Sequence, residues 1–133
     1  MRAWGLAAAL LLPVAAVAQD CSPAMPGGTQ LESARYFLGY RALPGKPAVG
    51  RHFALEMAIC PKPGMAVPES LRVDAHMPEH RHGMNYKAQV AVVPGGRYKA
   101  DGLMFHMPGR WEILFDMRSA GKTDRITHSI VLE

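Results

Sequence analysis

Two cysteines in 133 residues are too few for a disulfide-dense scaffold or a four-thiolate metal site. Aromatic residues make up only 8% of the chain and do not alternate with basic ones, which excludes the stacking platform of a single-stranded nucleic-acid binder. The net charge of +4 comes without a basic stripe. Arg35, Arg41, Lys46, Arg51, Lys62 and Arg72 occur singly, so the charge reads as solubility with weak attraction to anionic surfaces, and no nucleic-acid partner is expected. There is no phosphate-binding loop, no Ser/His/Asp-type arrangement and no carboxylate pair with a clear cleft, so the chain does not read as an enzyme. Internal repeats and low-complexity tracts are also missing. Beyond residue 18 no stretch has a helical period of useful length.

The one long apolar run lies at the N-terminus. Arg2 supplies a positive start, residues 6–17 are apolar apart from the break at Pro13, and Ala16-Val17-Ala18 has the small-x-small pattern of a cleavage site. The run is short for a membrane span and soon followed by polar residues, with a retained anchor as the lesser alternative. Residues 1–18 are therefore expected to be a cleaved export signal, leaving a periplasmic chain from Gln19 with no stable membrane span. Asp20 before Cys21 argues against lipid attachment at that cysteine. In an exported chain Cys21 and Cys60 read as one disulfide; the competing reading offers two thiolates to a metal.

Residues 19–34 are rich in proline and glycine at their start and read as an extended, loosely held lead-in, with Met25 in a flexible piece. Residues 35–133 read as short strands between turns. Tyr36, Leu38 and Tyr40 alternate with Phe37, Gly39 and Arg41; Phe53, Leu55, Met57 and Ile59 alternate with His52, Ala54, Glu56 and Ala58. Leu71, Val73 and Ala75 follow, then 90–93, then 98–105 with its alternation slipping at Gly102 as at a bulge. Trp111, Ile113, Phe115 and Met117 share one face, as do Ile126, Ile130 and Leu132. About seven strands at 8–12-residue spacing, with no βαβ pattern, predict an all-β, single immunoglobulin-like antiparallel sandwich.

The segment Asp74-Ala75-His76-Met77-Pro78-Glu79-His80-Arg81-His82-Gly83-Met84 concentrates three histidines and two methionines where a strand runs into a loop. His106-Met107 occurs where a later strand meets the Pro108-Gly109 turn, and the loops of a sandwich cluster at its ends. Imidazole suits copper in either oxidation state, and thioethers favour Cu(I) without being lost to disulfides. Zinc sites have no reason to include methionine, and with only Asp74 and Glu79 nearby the segment is poor in the oxygen ligands of calcium and magnesium. The candidate metal ligands are His76, Met77, His80, His82, Met84, His106 and Met107, with a copper ion, Cu(I) or Cu(II), as the implied cofactor. His76 is on the polar phase of its strand and reads as exposed, while Met77 takes the apolar phase and reads as a cap on the core. His52 reads as a surface residue and His128 as a satisfied core histidine.

The string Met77-Pro78-Glu79-His80-Arg81-His82-Gly83-Met84, followed by Gly96-Arg97-Tyr98 and His106-Met107-Pro108-Gly109-Arg110-Trp111-Glu112, resembles the YtkA-like and FixH-like periplasmic domains over residues 48–120. A more distant likeness is to CopC-like copper carriers, which do not share this string. The resemblance implies an immunoglobulin-like sandwich in the setting of copper handling and respiratory oxidase assembly. FixH-type proteins carry a true membrane anchor, whereas here a cleavable signal is expected. The leading expectation is a periplasmic copper chaperone or buffer that exchanges metal with another periplasmic or membrane copper protein. The alternative is a non-metal scaffold module contacting another envelope protein.

Overall fold

The structure, a computed structural model, describes residues 20–94 and 97–133. The expected signal segment and the Gly95-Gly96 part of one turn lie outside them. The described residues contain no helix, and none long and apolar enough to cross a membrane. They form nine strands: β1 Thr29–Glu32, β2 Tyr36–Leu43, β3 His52–Pro61, β4 Ser70–Met77, β5 His82–Gly83, β6 Gln89–Val93, β7 Arg97–Met104, β8 Gly109–Ser119 and β9 Lys122–Leu132.

All pairings are antiparallel, in one sheet ordered β1-β2-β3-β7-β6 and a second ordered β5-β4-β8-β9. The β2-β3-β7-β6 and β4-β8-β9 sets have the strand order of the two immunoglobulin sheets, with β5 added at one edge. The expected alternation holds where the runs are long. Tyr36, Leu38, Leu55, Met57, Trp111, Ile113, Phe115 and Met117 are all essentially buried between the sheets. Burying such side chains contributes about 1.5–3 kcal/mol each before conformational entropy is subtracted. The slip near Gly102 is a bulge: Phe53 opposes Leu103 and Leu55 opposes Ala100, with Gly102 at φ 85° taking the extra residue.

Nine strands form rather than about seven, for identifiable reasons. β1 has a single large apolar residue, Leu31, and is recruited by pairing along β2 from Thr29↔Tyr40 to Glu32↔Phe37. β5 is two residues long and exists because β4 offers it an edge. Neither has a period of its own to read.

The lead-in is also fastened rather than loose. Cys21 is bonded to Cys60 at the end of β3, with Cα atoms 5.5 Å apart. This bridge pins the lead-in to its own sheet instead of joining the two sheets. A Cβ on Gly39 would lie 1.6 Å from the Pro23 carbonyl oxygen, so only glycine lets the lead-in cross β2 there. Met25, expected to be flexible, is buried.

The sandwich has two distinct ends. At the lower end lie the disulfide and the β8–β9 turn, where Ala120 and Gly121 both have positive φ between the Ser119↔Lys122 pair, the two-residue hairpin geometry that matches strand twist. At the upper end lie the β2–β3 loop, the β4–β5 turn and the β7–β8 turn. Both histidine- and methionine-bearing segments belong to this upper end.

Candidate metal centre

β4 ends in His76 and Met77, and the chain reverses over residues 78–81. The His80 amide donates to the Met77 carbonyl (3.2 Å), the Arg81 amide donates to the Pro78 carbonyl (3.3 Å), and Arg81 adopts φ 54° to complete the reversal. β5 then pairs back, Met77↔His82 and His76↔Gly83, and the Met84 amide reaches the Ala75 carbonyl at 3.3 Å. Residues directly opposite in a sheet share a face. Met77 is buried in the core, so His82 is placed on the inner side at the mouth of the sandwich. His76 is thereby sent to the outer face, where its Nε2 lies 3.4 Å from Glu112 Oε2.

The β7–β8 turn supplies the other half. Phe105 is fully buried and stacks on Trp111 at 4.8 Å between ring centroids, and the Trp111 indole N–H donates to the Met107 carbonyl at 3.0 Å. A buried indole needs such an acceptor, and here the requirement fixes the backbone of residues 105–107. His106 then stands beside His82, with ring centroids 5.1 Å apart, and His80 lies 5.7 Å from His82 on the far side. His82 and His106 both meet the Trp111 indole edge-on, at 5.9 and 5.3 Å. Met84 and Met107 are half-buried against the core at this end.

Two details bear on chemistry. His82 Nδ1 lies 3.0 Å from the Gly83 carbonyl oxygen. When Nδ1–H donates there, the Nε2 lone pair is left free for another partner. His106 Nδ1 is buried with no hydrogen-bond partner, the one such side-chain nitrogen or oxygen among the described residues. An unsatisfied buried group of this kind costs about 1–3 kcal/mol, which a ligand at the site would relieve. Two imidazoles sharing one ion through bonds of about 2 Å hold their centroids about 4.5–6.3 Å apart, a range that includes both observed spacings. Among the described residues no three His, Cys, Asp or Glu side chains gather as a metal-holding group. Thioethers at this end of the sandwich belong to Met84 and Met107, partly buried against the core.

An ion pair ties the two segments together. Arg110 Nε donates to Glu79 Oε1 at 2.7 Å, and its Nη1 donates to Glu112 Oε1 at 2.7 Å and to Ser129 Oγ at 3.1 Å. The guanidinium holds the Glu79 carboxyl below its ordinary range, while Glu79 and Glu112 raise Arg110. These carboxylates are occupied by Arg110, so the site keeps its His/Met character.

Of the seven sequence candidates, the structure brings His80, His82 and His106 into one array with Met84 and Met107 at the same end. Met77 lies beneath them in the core, and a Cβ at Gly109 would come within 2.8 Å of its Cε. His76 does not join the array. His52 is exposed with its ring edge on Tyr86, and His128 is bound to the Tyr40 hydroxyl, as expected for a satisfied histidine. Sequence reasoning left out Trp111, Arg110 and Glu79 as organisers of the site. The usable signal was a tryptophan five positions after His106, whose N–H had to find an acceptor nearby. No family model, curated protein or solved structure matches the chain.

Proposed function

We propose that this chain is an exported copper-binding protein, a carrier or buffer rather than a catalyst, which takes its cargo where His82 and His106 meet. The observation that carries the reading is the buried, unpartnered Nδ1 of His106 beside the His82 ring. A structural histidine has its buried ring nitrogen satisfied, as His128 Nδ1 is through Tyr40. The donor chemistry supports copper over zinc, because imidazole with thioether serves Cu(I) and the imidazoles serve Cu(II). His80, exposed at the rim, is the first donor an incoming ion or a partner's ligand meets. Release to another envelope copper protein then proceeds by ligand exchange from the rim inward.

The Cys21–Cys60 disulfide supports an oxidising compartment, in keeping with the export-signal reading of residues 1–18. The resemblance of residues 77–84 to the YtkA-like and FixH-like domains supports the same assignment.

The test is titration of residues 19–133 with Cu(I) under anaerobic conditions and Cu(II) in air, followed by mass spectrometry of the intact loaded protein. The expected result is one tightly held ion, lost in the His80→Ala/His82→Ala double variant while the fold is retained. Stoichiometric binding that survives in the double variant sinks the assignment. No binding to the wild type, together with partner capture indifferent to chelator, transfers the reading to a scaffold module.

A further inference from the structure

A second site lies away from the histidine array, along the seam where β1 and β2 of one sheet face β9 of the other. A cavity of about 290 Å³ lies there. This is just under the range of about 300 to 1,000 Å³ usual for ligand pockets, room for a molecule of one small ring. Half-buried Ile130 contributes apolar lining, and Leu55 and Ile113, core residues 0% and 1% exposed, close the cavity from beneath.

The polar lining has one sign. Tyr40, Arg41, Lys46 and His128 border the cavity, and no Asp or Glu does. Arg41 is already committed, with Nε and Nη2 each 2.6 Å from Glu56 Oε2. Lys46 is exposed and forms no ion pair within the described residues. The mouth therefore carries a free ammonium above an apolar floor.

The Tyr40–His128 hydrogen bond adds a directed donor. Burial pushes the Tyr40 phenol up to about 12, against a smaller opposite pull from Thr29, so the phenol keeps its proton, and its oxygen shares a hydrogen bond with His128 Nδ1. In the tautomer whose Nδ1 accepts from the phenol, the ring proton resides on Nε2, which forms no hydrogen bond among the described residues. That N–H is free to meet an acceptor in the cavity that His128 lines.

We infer that this cavity binds a small carboxylate with an apolar body, the carboxylate held by the Lys46 ammonium and the His128 ring N–H over the Leu55, Ile113 and Ile130 floor. The inference is independent of the copper reading and is tested without metal. Amide chemical shifts of ¹⁵N-labelled residues 19–133 are followed during addition of sodium benzoate, benzamide and sodium acetate.

Saturable shifts are expected around Tyr40, Ala42, Leu55 and Ile130 for benzoate. Loss of a charge-assisted contact makes benzamide about tenfold weaker. Acetate, lacking the apolar body, is weaker still. Lys46→Gln, at an exposed loop position, is expected to abolish the preference for benzoate over benzamide with the fold unchanged. Three outcomes overturn the inference: equal affinity for benzoate and benzamide, a preference unaffected by Lys46→Gln, or non-saturating shifts scattered over other basic positions such as Arg51 and Arg97.

Discussion

At the lower end of the sandwich, Asp124 accepts hydrogen bonds from Ser33 Oγ at 2.7 Å, the Arg35 amide at 3.0 Å and Arg35 Nε at 2.6 Å. Arg35 spends its remaining donors on the Ser119 and Lys122 carbonyls. At the upper end, His106 Nδ1 is buried with nothing to bond, and the exposed Arg110–Glu79 ion pair spans the two segments around it. Polar groups that hold a fold are saturated by the fold itself. A buried group left open is a cost that the chain tolerates where something else is to bind. The lower end is therefore read as the fastening and the upper end as the working surface, and each substitution below bears on that division.

The largest effect is expected from the lower end. Cys60→Ala removes the bridge closing the stretch from residue 21 to residue 60, and should cost about 3–4 kcal/mol in chemical denaturation. Copper stoichiometry should be unchanged, and a loss of binding would show that the two ends are coupled. Asp124→Asn comes next. Burial would raise this carboxyl, but Ser33 and Arg35 outweigh it and hold it below its ordinary value. A depressed carboxyl contributes stability above the unfolded aspartate range, and that contribution is lost as pH falls through the folded value, so the loss is confined below about pH 4. The substitution should cost about 2 kcal/mol at pH 7 and leave a flatter acid limb in the stability profile. An unaltered acid limb would remove Asp124 from the fastening.

Effects at the upper end should be smaller on stability and larger on metal. His106→Leu removes the open nitrogen, so the metal-free protein should be more stable by about 1 kcal/mol while copper affinity falls sharply. Destabilisation by that amount or more would make His106 a structural residue and reverse the comparison. Glu79→Gln is the mildest. Exposed ion pairs contribute little, so copper affinity measured by competition titration should drop by less than about fivefold. A drop of about tenfold or more would make the pair part of the site itself.

The long strands were legible because their cores alternate over many residues, as from Phe53 to Ile59 and from Trp111 to Met117. β1 and β5 were not, since a four-residue and a two-residue strand are created by the edges they join rather than by their own pattern. Met25 looked free because its fastening depends on a disulfide and on the absence of a side chain at Gly39, both distant in sequence. At the candidate site the donor types and the meeting of the two segments could be read from residue identity and from sandwich geometry. The exclusion of His76 could not. It depends on the Met77↔His82 register, which a two-residue strand does not announce. The Trp111 indole bond and the Arg110–Glu79 tie are likewise three-dimensional facts.

The central claim is tested most directly by copper X-ray absorption of the Cu(I)-loaded protein and its His106→Leu and Met84→Leu/Met107→Leu variants. The account predicts a shell of imidazole nitrogen and thioether sulfur, with a nitrogen lost in the first variant and sulfur lost in the second. A shell of light atoms alone, or one that neither variant alters, would place the copper elsewhere and contradict it.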